Sequence, residues 1–262
     1  MSALLNIAVD AAEAAGRIII RHHNFTDRVA VERKGSHDFV SSVDREAEQE
    51  IVARLHKAHP EHAILAEEAA ANTSFDAEFE WLVDPLDGTT NFLFGIPHYA
   101  VSIALRQRDK LLLGVVYDPF KQELFTAETG RGAFLDGRRI RARTGQGLAD
   151  ALLATGFPFR DGADLDHYLA TLRVLIPETA GVRRAGSAAL DLAYVAAGRF
   201  DGFWEFGLKP WDMAAGIVLA REAGAIVKGL DGSEDPLASG NIIAATPKVL
   251  EEMLGRLEAL KD

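Results

Sequence analysis

Hydrophobic residues in the opening segment recur at Leu5, Ala8, Ala12, Ala15 and Ile19, with Asp10, Glu13 and Arg17 between them, a spacing that predicts an amphipathic helix. Farther along, Ser42 is the expected N-cap of a second helix near 43–58. Asp44 and Glu46 suit the positive end of its dipole, Lys57 its last turn and Pro60 its stop. Short apolar runs follow at Ala63–Ala66, Trp81–Val83, Ala100–Leu105, Leu111–Tyr117 and Glu123–Ala127. Each is bounded by charged or turn residues, and together they predict the strands of one sheet. Asp136 and Gly137 both tolerate positive φ and predict a hairpin that closes this first half.

Helical spacing returns over Asp166–Ile176, Ser187–Ala197, Trp211–Ala223 and Pro247–Leu260, and Gly202–Phe206, Ala225–Val227 and Asn241–Ala245 between them predict strands. Such alternation of α and β builds a layered α/β architecture. No internal repeat, low-complexity stretch or long linker divides the chain. A single domain over 1–262 is expected, with lobes at approximately 1–145 and 146–262 and Thr144–Gly147 as the one weak boundary.

Composition narrows the possible functions. The 262 residues include 39 acidic and 28 basic side chains, so the global field repels polyanions and disfavours a nonspecific grip on nucleic acid; an anionic substrate needs local positive charge. The absence of cysteine rules out disulfides and thiolate metal sites. Met1–Ile20 is interrupted by Asn6, Asp10, Glu13 and Arg17, which fits neither a signal peptide nor a membrane span, so a cytoplasmic protein that does not engage membranes is expected.

The segment Trp81-Leu82-Val83-Asp84-Pro85-Leu86-Asp87-Gly88-Thr89-Thr90-Asn91-Phe92 runs a buried strand directly into two carboxylates, a glycine and two hydroxyls. Carboxylates at the end of a buried strand cost several kcal/mol unless charge compensates them, and hard oxygen ligands of this kind suit Mg²⁺. A helix starting near Gly88 would aim its backbone N–H groups at an anion, with phosphate the natural candidate. The competing reading makes Asp84 and Asp87 turn formers or N-caps. Two further segments place acids at element ends: Glu67-Glu68 after the preceding strand, and Asp212 at a helix start. Taken singly, Asp212 reads as a capping residue, Glu67 or Glu68 as a solvated charge, and Glu205, alternating with Phe203, Trp204 and Phe206, as a charge on an exposed strand face.

Asp84-Pro85-Leu86-Asp87-Gly88-Thr89-Thr90-Asn91-Phe92, together with Trp211-Asp212-Met213-Ala214-Ala215-Gly216, resembles the signature pair of the inositol monophosphatase family. The likeness runs from Asn6 to Glu252, includes Gly186-Ser187-Ala188-Ala189-Leu190-Asp191, and is strongest to the bacterial inositol-1-monophosphatases. It implies an α-β-α-β-α sandwich and hydrolysis of inositol 1-phosphate. Two or three Mg²⁺ ions would bind between Glu67, Asp84, Asp87, Asp212 and the Leu86 carbonyl. The family's mechanism makes water the nucleophile, its pKa lowered by one metal, while a second metal stabilises the departing alkoxide. By the same resemblance Thr89, paired with Asp44, orients or deprotonates that water alongside Glu67, and the Gly88 and Thr89 backbone N–H groups hold phosphate oxygens. Glu205, Gly186, Ser187, Ala188 and Asp212 form the substrate wall, and Lys34 matches the lysine of the family's mobile loop. A homodimer with Arg183 and Arg184 at its interface, lithium sensitivity and contact with transcription antitermination machinery are also family implications. Relatives of the same fold hydrolyse fructose 1,6-bisphosphate, 3′-phosphoadenosine 5′-phosphate or histidinol phosphate, so these esters stand as alternatives. Ala66 departs from the family's usual glycine before the acidic pair, and the stretch from Glu67 to Trp81 is short.

Other features read as structural. Pro60 separates His56 and His59 from His62, so these are expected to be solvated helix-end histidines that do not converge; His22-His23 reads the same way. Arg138, Arg139, Arg141 and Arg143 read as a charged hairpin edge. No Walker A motif, dinucleotide fingerprint, nucleophile elbow, zinc-histidine pair or EF-hand loop occurs.

Overall fold

In the computed structural model, which describes residues 2–23, 25, 29–33, 39–68, 77–145, 147–158 and 164–260, the opening apolar stripe forms α1 (Ala3–His23). Leu5, Ala8, Ala12, Ala15 and Ile19 are all buried. An antiparallel pair, β1 (Val31–Arg33) and β2 (Phe39–Ser41), then leads into α2 (Ser42–Ala58). The N-cap of α2 is Ser41, which corrects the assignment to Ser42. The Ser41 hydroxyl accepts the Val43 and Asp44 N–H groups at 3.2 and 3.3 Å, and Asp44 Oδ2 accepts the Ser41 N–H at 2.9 Å. This reciprocal box needs an acid three residues after the cap, a condition that Asp44 meets for Ser41 and that Ser42 lacks. Ser42 is an exposed first residue of the helix.

The predicted strands assemble into a seven-stranded sheet: β3 (Ala63–Ala66), β4 (Phe79–Asp87), β5 (Ala100–Gln107), β6 (Lys110–Asp118), β7 (Glu123–Glu128), β8 (Gly132–Leu135) and β9 (Arg138–Ile140). They pair in that order, β3 parallel to β4 and the rest antiparallel. The short helix α3 (Thr89–Leu93) joins β4 to β5. Asp136 and Gly137 turn the last hairpin with φ of 49° and 73°, as their residue types predict.

The second sheet orders β11-β10-β12-β14-β13 from β10 (Leu152–Thr155), β11 (Gly181–Arg183), β12 (Gly202–Glu205), β13 (Ile226–Gly229) and β14 (Ile242–Ala245). The helices of this half are α4 (Leu165–Leu175), α5 (Ala188–Ala196), α6 (Pro210–Glu222), α7 (Pro236–Ser239) and α8 (Pro247–Glu258).

Three apolar clusters hold five layers together, the central one packing both sides of the middle helices. Ile19, Ile51 and Leu55 of α1 and α2 pack on Trp81 and Val83. Leu82, on the opposite face of β4, shares the central cluster with Leu192, Met213, Ile217 and Phe203. Trp204, one residue on from Phe203, joins Leu175, Ile243 and Met253 in the outer cluster. Alternation along each strand thus feeds two cores. Helices α5 and α6 lie between the sheets, and every residue of α5 is buried, as expected of a helix that is apolar all round. The architecture is the expected α-β-α-β-α sandwich. Helix α6 approaches β6 closely at Gly114, where a Cβ would lie 2.5 Å from the Ala215 carbonyl oxygen.

Candidate functional site

The carboxylates are brought together by one irregularity in β4. In a regular strand, residues three apart face opposite sides of the sheet. Here Asp84 pairs with Ser102 and Asp87 with Ala100, so one extra residue is accommodated at Pro85-Leu86, where proline offers no N–H to the ladder. The bulge turns Asp84 and Asp87 into the same cleft. The Leu86 N–H donates to Asp84 Oδ1 at 3.0 Å. Glu67, just past β3, is tied to the end of β4 by its N–H bonding to the Val83 carbonyl at 3.2 Å. Gly88 then reverses the chain with φ of +95°, and any Cβ there would press 3.0 Å from the His98 carbonyl oxygen.

Two acids also cap helices. Asp87 Oδ2 accepts the Ser187 hydroxyl at 2.6 Å and the Ala189 N–H at 2.7 Å, at the start of α5. Asp212, three residues into α6, accepts the Lys209 N–H at 2.7 Å. Capping and clustering are therefore compatible: the helix termini fix the carboxylates that line the cleft. Asn91 Nδ2 donates to the His98 and Ala185 carbonyls at 2.8 and 2.9 Å, locking α3 to the segment before α5.

The electrostatics are those of buried acids crowded together. Burial, with the charges of Glu67, Asp87 and Asp212, holds the Asp84 carboxyl well above its ordinary range. Burial raises Asp87 to about 7, assisted by Asp212 and opposed by the Ser187 hydrogen bond. Asp44 is raised by burial, against hydrogen bonds from Ser41 and Thr89. Buried acids that oppose one another's ionisation, with a peptide carbonyl beside them, are a hard-oxygen donor set suited to Mg²⁺.

Of the residues expected from the sequence, Glu67, Asp84, Leu86, Asp87, Gly88, Thr89, Gly186, Ser187, Ala188, Glu205 and Asp212 all line one cleft of about 650 Å³. Asp44 sits behind it, joined through the Thr89 hydroxyl, which lies 2.8 Å from Asp44 Oδ1 and 3.0 Å from the Leu86 carbonyl oxygen. Lys34 lies outside the described residues. Glu205 is only 7% exposed, so the exposed-face reading of that residue fails. Its carboxylate occupies the space a side chain at Gly156 would need.

Sequence reasoning missed other parts of the wall. Asp191 lines the cleft, its pKa pushed well up by burial and by Glu205 and Asp87, against Arg184. A lone carboxylate in the apolar helix α5 was the available signal. Arg184 supplies a cation at the cleft, its guanidinium 4.5 Å from the Phe157 ring centroid. The histidine expectation also needs correction. His59 and His62 stack with centroids 4.4 Å apart, and His62 is buried, because the turn at Pro60 and Glu61 folds one back onto the other.

Comparison with known proteins places the geometry in context. A family model described as the inositol monophosphatase family matches residues 1–260. The Nus factor SuhB of Pseudomonas aeruginosa is 51% identical over 262 residues, covering 98% of this chain and 97% of that protein. The extragenic suppressor protein SuhB of Bartonella henselae superposes with a TM-score of 0.94 at 47% identity, covering 98% of each chain. The inositol monophosphatase of Anabaena does so with 0.85 at 36%, covering 98% of this chain and 95% of that one. Among the described residues no helix is long and apolar enough to cross a membrane. A match over nearly the whole chain, on a fold whose bulged strand and helix termini gather the signature acids in one cleft, makes this chain a member of the inositol monophosphatase family and a metal-dependent phosphatase of that fold.

Proposed function

We propose that the protein hydrolyses phosphate monoesters of small polyols, with inositol 1-phosphate the leading substrate and Mg²⁺ the cofactor. The observation that carries this reading is Asp84, buried among Glu67, Asp87 and Asp212 with its carboxyl held well above the ordinary range. Glu67, Asp84, Asp87, Asp212 and the Leu86 carbonyl would hold two or three ions. When bound, Mg²⁺ supplies positive charge that eases deprotonation of a nearby water and offsets charge on the phosphate. The chain's own residues do the rest. Asp44, held by the Ser41 N–H, accepts a hydrogen bond from the Thr89 hydroxyl and so turns its lone pairs toward an incoming water; Glu67 can take the water's proton, or Thr89 can take it while passing its own to Asp44. The backbone N–H groups of Gly88 and Thr89 would steady the phosphate oxygens.

Glu205 and Asp191, which also line the cleft, suit a substrate rich in hydroxyl donors, as do Gly186, Ser187 and Ala188, and Arg184 adds the positive charge that an anionic ester needs in an acidic protein. The test uses chelator-stripped protein and phosphate release from inositol 1-phosphate, fructose 1,6-bisphosphate, 3′-phosphoadenosine 5′-phosphate and histidinol phosphate, with and without Mg²⁺. Mg²⁺-dependent release greatest from inositol 1-phosphate is expected. Preference for another ester would overturn the substrate, and unchanged turnover in Asp87→Asn or Asp212→Asn would overturn the ligand assignment.

A second reading rests on the Nus factor name carried by a relative 51% identical. In it, the single-domain chain, acting as a cytoplasmic homodimer, also joins transcription antitermination machinery. Pull-down from bacterial lysate at gentle salt should then recover transcription factors or ribosomal RNA complexes, and recovery of neither would count against this role.

A further inference from the structure

Helix α2 buries two carboxylates one turn apart. Asp44 is fully buried and Glu48 is 3% exposed. Residues four apart on a helix share a face, and this one also carries Ala47 and Ile51 into the core beneath the first sheet. Asp44 bonds to the cap of α2 and to the Thr89 hydroxyl. Glu48 has a different partner: its Oε2 accepts the Glu68 backbone N–H at 2.8 Å. It is not among the side chains that line the cleft, yet a carboxylate so deeply buried is costly to keep unless hydrogen bonds hold it.

The position of this bond in the sheet gives it a role. Strand β3 is the edge of the seven-stranded sheet and pairs on one side with β4. Along a parallel strand, successive peptide groups turn to opposite neighbours. The Glu67 N–H turns inward to the Val83 carbonyl at 3.2 Å, so the next N–H, that of Glu68, faces the open edge, where no described strand meets it. Glu48 supplies the acceptor there. Glu67 is thereby held from both sides, by β4 through its own N–H and by α2 through the next one, and its side chain lines the cleft from between them. Water would satisfy a loose N–H equally well. A carboxylate on the helix that already holds Thr89 does more, because it sets Glu67 and Thr89 in one register against the same rigid element.

We infer that Glu48 is a positioning residue for Glu67: its bond to the Glu68 N–H fixes the backbone from which Glu67 reaches the cleft, and so sets how tightly the acidic centre holds Mg²⁺. The inference rests on the reading of Glu67 as a metal ligand. What matters at Glu48 is the reach of the acceptor oxygen, since the bond to an N–H needs an oxygen at that place and a glutamine provides one.

Two variants separate reach from charge. Glu48→Gln keeps an oxygen at the same distance from the backbone and loses the charge, whereas Glu48→Asp keeps the charge on a side chain one methylene shorter. Ile51→Val, buried on the same helix, is the control for a general loosening of α2. Mg²⁺ is titrated calorimetrically into the chelator-stripped full chain, amide exchange at Glu68 is followed by NMR without metal, and circular dichroism verifies each fold. Glu48→Asp should weaken one Mg²⁺ equivalent roughly tenfold or more and lose protection at the Glu68 amide, while Glu48→Gln and Ile51→Val stay within about threefold of wild type. Equal Mg²⁺ binding in all four proteins, equal loss in both Glu48 variants, or the reverse order would overturn the positioning role. Failure of the ligand reading has its own mark, Mg²⁺ binding that is unchanged in Asp87→Asn as well, and that result overturns both.

Discussion

At the scale of single residues, two features of the cleft have measurable consequences. Glu205 reaches the cleft wall across the face of Gly156, whose missing side chain leaves room for its carboxylate. A methyl group at that position must displace a flexible carboxylate and leaves the acids of β4 and α6 in place. Gly156→Ala is therefore expected to raise KM for a polyol phosphate several-fold with little change in kcat or in Mg²⁺ affinity; steady-state kinetics and a Mg²⁺ titration check this. Asp87 gives a pH dependence. Its folded-state pKa rises from 3.8 to about 7. Across that window the metal-free folded protein retains a proton that the unfolded chain has released, so stability on account of this group falls as pH rises. Chelated wild type should lose more thermal stability between pH 5 and pH 8 than chelated Asp87→Asn, which cannot ionise there, and parallel melting curves for the two would refute the assignment. Mg²⁺ binding, which needs the carboxylate, should strengthen over the same range.

Among the elements, local chemistry explains both what the sequence revealed and what it hid. The seven-stranded sheet was readable because its apolar runs are bounded by turns, and Asp136-Gly137 announced its last hairpin. Strands β10 and β11 were not predicted. They are three or four residues long, pair in parallel with each other from distant parts of the chain, and take their place from the second core rather than from local alternation. In the site, the acidic motif was visible, but the bulge that turns Asp84 and Asp87 to one face depends on pairing with β5. Asp191 joins the cleft from α5 and Arg184 from the segment between β11 and α5, positions that only the folded arrangement brings to the acids of β4. The cap of α2 was one residue off, and this is testable. Ser41→Ala removes the acceptor for two N–H groups and a partner of Asp44, and should cost about 1 kcal/mol by chemical denaturation, whereas Ser42→Ala at the exposed neighbour should change stability little.

For the molecule as a whole, the acidic centre joins distant segments: Glu67 follows β3, Asp84 and Asp87 sit on the bulge of β4, and Asp212 opens α6. A cation that binds only the folded chain adds stability by mass action. At a Mg²⁺ concentration a hundred times its dissociation constant the gain is about 2.7 kcal/mol, so EDTA should lower Tm and added Mg²⁺ restore it. An unchanged melting curve would argue against Mg²⁺ at the proposed ligands. The layering also bears on how the chain is made. The inner face of the first sheet is covered by α6, which packs against β4, β5, β6 and β7 yet begins at Pro210, long after β9 has been completed at Ile140. At about 5–20 residues per second, a growing chain exposes one apolar side of a finished sheet for several seconds before its cover is synthesised. A fragment that ends between the two halves would therefore keep this apolar face uncovered, and is expected to aggregate rather than act as a smaller enzyme.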